Sequence, residues 1–400
     1  MHHGAGEDNW ILGGAADGVF RIGLVIGILG LAASFFLGFG REGAADRFYS
    51  AWLVSFGFFL SLSLGALFFV LVQHLTGATW SVVVRRLAEA VATNFWLMLI
   101  LFIPVALGLE SLYPWADPEV VAHDALIRTK SGFLNANFFY VRSAIYFLVW
   151  ILASQYFFRK SVSQDETGEV AATVRMEKMA APATLLFAVT CTFAAFDYFM
   201  SLEPHWFSTM YGVYYFAGSL FAFFALLPIM VIWCQSRGRA VHTISKEHFH
   251  DMGKWMFAFT VFWAYIGFSQ YFLIWYANIP EETGWFYVRQ NNGWAAISWL
   301  MLIGHFIIPF FGLLPRWVKK TRITLVLWSL WLLAMHWFDL FWLIVPNANP
   351  NGIPWNPLYL TTFLGMGGLF IGLTALTLKN RSMIPAKDPR LPDSLAFENV

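Results

Sequence analysis

The sequence has few charged residues and almost no cysteine. Asp, Glu, Lys and Arg make up 12% of the 400 residues, roughly half the share in soluble domains. The net charge of +1 gives the chain no global attraction for nucleic acid. Cys191 and Cys234 form no CxxC or CxxCH motif. This pattern excludes covalent haem, iron–sulfur clusters and structural zinc, so we predict no metal site.

Apolar residues dominate instead, at 58% of the chain, with 20 Trp and 42 Phe. A membrane hydrocarbon core is crossed by about 20 apolar residues in a helix. Ten stretches reach that length, which predicts an all-α integral membrane protein. The predicted spans are 20–39, 50–73, 91–112, 138–158, 181–201, 211–234, 255–276, 294–314, 324–345 and 358–378.

The distribution of basic residues predicts the orientation. Cytoplasmic loops carry an excess of Lys and Arg. Most of the 25 basic residues fall on the side of both termini, so we expect a cytoplasmic segment at 1–19, a membrane domain at 20–378 and a cytoplasmic tail at 379–400. Residues 161–182 (SVSQDETGEVAATVRMEKMAAP) are expected to form a short cytoplasmic helix that leads into span 5. The opposite side holds only Arg41, Arg47, Arg128, Lys130, Arg142 and Arg289.

The connections on that opposite side are rich in Pro, Gly, Asn and Trp, as in 347–357 (NANPNGIPWNP). Trp and Tyr favour the headgroup level, so an aromatic belt explains part of this composition. A docking surface for an extracytoplasmic partner is the other interpretation.

Ionisable side chains inside the spans are rare and therefore informative, because such groups are costly in lipid and usually functional. The ionisable side chains within the spans are expected to converge in the extracytoplasmic half of the membrane. Two further ionisable residues lie just outside span 5. His336 and Asp339 lie one helical turn apart on the same face. The candidates are Arg142, Asp197, His305, His336 and Asp339, with Glu203 and His205 just outside.

Three interpretations of this set stay open. A carboxylate and a histidine can accept the protons of a quinol. Chains of Asp, Glu and His also carry protons through membranes. In the structural alternative, Arg142 pairs with Asp197 while His336 and Asp339 satisfy each other. We expect Asp197 to handle protons, and a single b-type haem on His305 and His336 is a rival.

Small residues repeat at helical spacing near both ends of the chain. Gly23 and Gly27 in span 1, and Gly368 and Gly372 in span 10, follow the small-xxx-small rule for close helix approach. They predict helix packing, either within the chain or against a partner subunit.

Residues 196–219 (FDYFMSLEPHWFSTMYGVYYFAGS) resemble a known family. The run is similar to the smaller of two large membrane subunits in alternative complex III, a bacterial quinol:electron-acceptor oxidoreductase. This subunit belongs to the NrfD/polysulfide-reductase membrane-anchor superfamily. Length, span number and predicted cytoplasmic termini agree with the resemblance, and Asp197 and Glu203 lie within the matching run.

The resemblance implies two four-helix bundles, spans 2–5 and 6–9, flanked by spans 1 and 10. It implies a multi-pass subunit of a respiratory complex in the bacterial inner membrane, not catalytic alone, that supplies a site for protons or quinol. Expected partners are the larger NrfD-like sibling, multihaem cytochrome and iron–sulfur subunits and a terminal oxidase. Quinone or quinol and structural lipids are the expected ligands. A secondary transporter and a purely structural anchor are the alternatives.

Overall fold

The computed structural model describes residues 8–40 and 45–399. Residues 1–7 of the predicted N-terminal segment, Arg41 of the charge count and Val400 of the predicted tail lie outside this range. The described residues form helices and connections, with ten helices long and apolar enough to cross a membrane, so the predicted all-α multi-pass membrane class is confirmed. Spans 1 to 10 are Gly14–Phe39, Ala45–Leu75, Val82–Leu107, Ala136–Thr167, Val170–Leu202, Tyr211–Ser236, Lys246–Ala277, Trp294–Leu313, Arg322–Ala348 and Leu358–Leu378.

Several boundaries differ from the predicted ones. Span 3 begins at Val82, not at 91, and consists of three short helices, Val82–Ala92, Phe95–Leu101 and Ile103–Leu107. Its first turns carry Arg85 and Arg86, and these charged residues led to the prediction of a loop before residue 91. Both arginines are buried and ion-paired, so their charge does not keep the segment in water.

The expected short helix at 161–182 is wrong, because this segment does not form a helix of its own. Span 4 continues to Thr167 and span 5 begins at Val170, so only two residues separate two long helices. Gly168 ends span 4 with a φ of 68°, a left-handed conformation that glycine adopts without steric cost. The polar segment therefore extends both spans beyond the length that a membrane core requires.

The spans contact one another in two cycles. In the first group, span 2 touches span 3, span 3 touches span 4, span 4 touches span 5, and span 5 touches span 2. Spans 6, 7, 8 and 9 form an equivalent cycle, the second group. The division into two separate four-helix bundles stays a prediction, because span 2 also packs against spans 6, 9 and 10.

Both described ends of the chain lie at the same side of the helices, here called the basic face. The Asn9 backbone pairs with Arg239 in the connection after span 6, and the Met383 amide donates to the Trp10 carbonyl. Farther along the tail, Asp388 is ion-paired with Arg85 of span 3. Residues 380–399 therefore pack against the helix ends instead of leaving them. The opposite side, which holds 108–135, 203–210, 278–293 and 349–357, is called the aromatic face.

Spans 1 and 10 pack along each other through their glycines. A Cβ atom on Gly23 would lie 2.4 Å from the Gly368 carbonyl oxygen and 3.0 Å from the Gly372 Cα. A Cβ on Gly27 would lie 2.5 Å from a Leu369 methyl group. Real Cβ atoms do not approach so closely, so these positions bring the two backbones together within this chain.

Candidate functional site

The first group of spans holds a closed ion pair. Arg142 of span 4 donates from Nε and Nη2 to the two carboxylate oxygens of Asp197 in span 5, each at 2.8 Å. The Tyr146 hydroxyl donates to the same carboxylate at 2.7 Å. Arg142 also donates from Nη1 to the Phe133 carbonyl. The three guanidinium nitrogens and both carboxylate oxygens thus have hydrogen-bond partners, as buried charges require.

Local helix geometry explains this arrangement. Arg142 and Tyr146 are four residues apart on span 4, so they lie on one face of the helix. Asp197 is the second-to-last residue of the helix Val170–Tyr198 in span 5. The Ser201 hydroxyl donates to the backbone carbonyl of Asp197 at 2.6 Å. The carboxylate is 1% exposed. The site is therefore rigidly bonded and closed to water.

The second group holds a carboxylate without a cation. Asp339 of span 9 is 1% exposed and accepts from the Tyr214 hydroxyl at 2.5 Å and from Trp263 Nε1 at 3.0 Å. These donors belong to spans 6 and 7, so three helices meet at one carboxyl group. No ion pair to Asp339 occurs among the described residues. Its side-chain partners in the described part of the chain are two neutral donors.

His336 lies beside Asp339 but does not bond to it. The Ser61 hydroxyl donates to the Phe58 carbonyl at 2.6 Å and lies 2.8 Å from His336 Nε2. A hydroxyl has one proton, so Ser61 accepts and His336 Nε2 is the donor. Nδ1 is then an acceptor, and it has no partner among the described residues. The alternative in which His336 and Asp339 satisfy each other is wrong.

His305 is the most isolated polar group of the site. Its ring is fully buried, and neither nitrogen has a hydrogen-bond partner in the described part of the chain. The Trp263 ring lies 3.7 Å from it between centroids, and the Phe221 ring lies 4.3 Å away, edge to face. Buried imidazoles normally have partners, so this exception calls for an explanation.

An irregular helix positions His305. Residues Met301–Ile307 of span 8 are wound as a π-helix, a rare form that often occurs at functional sites. Pro309 has no amide hydrogen to donate to the carbonyl four residues earlier, that of His305, which favours a change of winding here. The Trp331 indole donates to the neighbouring Gly304 carbonyl at 2.8 Å.

These residues form one unit, which we call the histidine–aspartate cluster. Trp263 connects its two ends, because the indole packs on His305 and donates to Asp339. A Cβ on Gly218 of span 6 would lie 3.4 Å from His336 Nδ1 and 3.8 Å from an Asp339 oxygen, so both groups face the same point. The members are His305, His336, Asp339, Tyr214 and Trp263.

The candidate polar groups inside the spans lie at two separate sites. Arg142 and Asp197 form one site in the first group, and the histidine–aspartate cluster forms another in the second group. No hydrogen bond joins the two sites among residues 8–40 and 45–399. Sequence reasoning missed Tyr146, Tyr214 and Trp263. Only Tyr146 had a usable signal, its four-residue spacing from Arg142.

Glu203 and His205 lie apart from both sites, at the aromatic face. The His205 side chain is half exposed, with Nε2 2.6 Å from Asp124 and Nδ1 3.1 Å from Glu203. Partial burial acts to lower the pKa of His205, but the hydrogen bonds to the two carboxylates outweigh it and raise that pKa above its usual value. This surface cluster ties the connection 117–131 to the connection 203–210.

A charged network at the basic face was also missed. Arg85 and Arg86 of span 3 are both ion-paired with Glu89. Arg85 also pairs with Asp388 of the tail, and Arg86 pairs with Asp165 of span 4 at 2.9 Å. The C-terminal tail is therefore fixed to spans 3 and 4. Spacings of three and four residues link the arginines to Glu89, but nothing in the sequence indicates the distant carboxylates.

Neither a scan against protein-family models nor a search of curated proteins gave a match to this chain. No group of three or more His, Cys, Asp or Glu residues in the described part of the chain is arranged to hold a metal ion.

Proposed function

We propose that this protein is an integral membrane subunit of a quinol-oxidising respiratory complex resembling alternative complex III. In this proposal the histidine–aspartate cluster takes up and releases protons inside the membrane domain. The observation that carries it is the bonding of Asp339, a buried carboxyl group with two neutral donors and no described ion pair.

A carboxyl group in such surroundings favours its neutral form. Transfer of an isolated carboxylate from water to an apolar interior is so costly that the group normally binds a proton instead. A group that gains and loses a proton inside a membrane is the basic element of a proton relay. Asp197 has different surroundings, because Arg142 compensates its charge through two short bonds.

The neighbours of Asp339 can pass a proton on. The Tyr214 hydroxyl, which donates to Asp339, can accept the proton of the carboxyl group when it passes its own proton to a water molecule, and the phenol then acquires no net charge. The free Nδ1 of His336 faces the same point beside Gly218 and is an acceptor for a proton or a water molecule. His305, with both nitrogens unpartnered, offers a further proton-binding group beyond Trp263.

The assignment to a complex rests on the resemblance of residues 196–219 and on the ten spans. Quinol oxidation releases two protons and two electrons, and this subunit would handle the protons while haem and iron–sulfur subunits take the electrons. Tyr214 itself lies in the resembling run, so that run supplies one donor of the cluster.

Asp339→Asn tests the proton role directly. Asparagine keeps the shape and one acceptor but cannot bind and release a proton at working pH. We expect the variant complex, purified in mild detergent, to contain the same subunits and cofactors as the wild type. We expect quinol-oxidation turnover to fall by about 100-fold, a typical contribution of acid–base groups.

Asp197→Asn with Arg142→Gln is the matched control, because it removes a buried carboxylate together with its cation. This double variant should keep turnover. Wild-type turnover in a fully assembled Asp339→Asn complex would contradict the proton role. Purification of the wild-type chain without multihaem or iron–sulfur subunits would contradict the assignment to the complex and leave the proton site standing.

The proposal places the basic face in the cytoplasm of a bacterial cell, with the protein in the inner membrane. Cys191 and Cys234 are buried, so single introduced cysteines can be labelled against a low background. Asn351→Cys at the aromatic face should react with an impermeant thiol reagent in intact spheroplasts. Ser163→Cys at the basic face should react only after lysis, and the reverse pattern would overturn the orientation.

A further inference from the structure

An apolar cavity of about 220 Å³ lies near the basic face, between spans 1, 3, 6 and 10. Its walls include Val19, Val91, Met230 and Ala375, one from each of these spans. Ile371, which also lines it, is 54% exposed, so the cavity opens toward the surrounding lipid. Its volume exceeds the roughly 150 Å³ of an apolar protein cavity that accepts benzene.

The interior of this cavity offers almost nothing to a polar ligand. Its only hydroxyl, on Thr374, accepts from Asn94 at 2.7 Å and donates to the Phe370 carbonyl at 2.8 Å. The thiol of Cys234 is a weak hydrogen-bonding group. A water molecule needs at least two polar partners, and a quinone ring needs donors for its oxygens. Hydrocarbon fits this lining best.

Two arginines directly follow the cavity-lining end of span 6, and the backbone amide of Arg239 donates to the carbonyl of Cys234, which lines the cavity. Trp233 lines the cavity, and the Arg237 guanidinium carbon lies 5.8 Å from the centre of its ring. Arg239, two residues farther on, is partly buried, and its Nε has no partner among the described residues. Neither arginine is ion-paired to a carboxylate in that part of the chain. Lys379 differs, because Asp17 neutralises it at 2.8 Å.

We propose that this cavity binds an acyl chain of an anionic phospholipid whose phosphate is held by Arg237 and Arg239. The guanidinium group matches phosphate in charge and in the geometry of its donors. A methylene chain in the cavity and an anionic headgroup at the arginines satisfy the apolar interior and the cationic end at once. The inference stands independently of the proposed proton site.

The affinity for defined lipids tests this site. The full-length protein, delipidated in detergent, is titrated with palmitoyl-oleoyl phosphatidylglycerol or with the phosphatidylcholine of identical chains, and bound lipid is counted by native mass spectrometry. We expect tighter binding of phosphatidylglycerol. Arg237→Gln with Arg239→Gln should weaken that binding by roughly 10- to 30-fold, since each basic residue near a lipid surface contributes about a factor of five.

Two further variants separate the headgroup from the chain. Ala375→Phe fills the cavity and should reduce binding of both lipids. Arg175→Gln, which removes an exposed basic residue of span 5 away from the cavity, should behave as the wild type. The unfolding midpoint in phosphatidylcholine shows that each variant is folded.

Three results would overturn the proposal. They are unchanged phosphatidylglycerol binding in the double arginine variant, equal affinity of the wild type for both lipids, and a neutral isoprenoid quinone as the molecule retained on purification. The double arginine variant decides the question even if Ala375→Phe does not fold, because Arg237 is exposed and Arg239 partly so.

Discussion

Asp197 and Asp339 are equally buried carboxyl groups, each 1% exposed, yet their surroundings differ in one respect. Asp197 in the first group of spans has a bidentate arginine and a tyrosine. Asp339 in the second group has a tyrosine and a tryptophan. This difference in partners is the reason for proposing Asp339, and not Asp197, as the proton-exchanging group.

The largest effect is expected when the ion pair of the first group is broken. Asp197→Asn leaves Arg142 as an uncompensated buried charge, which typically destabilises a protein by about 3–5 kcal/mol. Adding Arg142→Gln should recover most of that loss. Thermal or denaturant unfolding of the purified protein in detergent measures both. A stable Asp197→Asn protein with lost turnover would instead support the earlier expectation that Asp197 handles protons.

The two tyrosines give a matched comparison with a smaller effect. Tyr146→Phe removes a hydrogen bond to the ion-paired carboxylate, which we expect to cost about 1.5–3 kcal/mol of unfolding free energy. Tyr214→Phe removes a bond to a protonated carboxyl group and should cost about 1 kcal/mol. Turnover should respond in the opposite order, with a large loss only in Tyr214→Phe. Equal losses of turnover would remove the distinction between the two regions.

Asp339→Asn is expected to change stability less than Asp197→Asn alone. It keeps one acceptor and leaves no unpaired charge, so the loss should be about 1 kcal/mol. The same unfolding measurement applies. A loss as large as that of Asp197→Asn would mean that Asp339 is ionised and essential to the packing of spans 6, 7 and 9.

The smallest effect concerns the surface cluster above the first group. Because its two carboxylates raise the pKa of His205, protonation of this histidine stabilises the folded protein. This contribution is complete below the pKa of an unfolded histidine and disappears as the pH rises through the raised folded-state pKa. Water screens the half-exposed pair, so we expect well under about 1 kcal/mol.

Unfolding midpoints from about pH 5 to about pH 9 test this effect. His205→Gln should flatten the decline at the upper end of the range. His123→Gln is the control, because in the described part of the chain the His123 ring is hydrogen-bonded to the Glu119 backbone carbonyl and to no carboxylate. An identical profile in His205→Gln and the wild type would show that the cluster makes no measurable contribution.

The sequence predicted the ten spans because the length of a membrane helix is set by the bilayer alone. It also predicted the Arg142–Asp197 pair as one alternative, from two charges at equal depth on neighbouring spans. It did not predict Tyr214 and Trp263 as partners of Asp339. Their bonds cross between helices, and apolar spans with little amphipathicity do not reveal which side chains face each other.

Two further features depended on contacts distant in sequence. Span 3 starts nine residues earlier than predicted, because Arg85 and Arg86 are neutralised by Asp388 and Asp165. The π-helix around His305 is an irregularity within span 8, and Pro309 is the sequence feature that indicates it. Hydropathy averages cannot represent either effect.

Infrared spectroscopy of the purified protein tests the central claim most directly, because it detects the C=O stretch of a protonated carboxyl group. Spectra of hydrated protein films are compared over a pH series for three proteins. These are the wild type, the Asp339→Asn variant, and the double variant with Asp197→Asn and Arg142→Gln. A protonated, buried carboxyl band near neutral pH should be present in the wild type and the double variant and absent from Asp339→Asn. An unchanged band in Asp339→Asn, or its loss only in the double variant, would contradict the assignment of the exchangeable proton to Asp339.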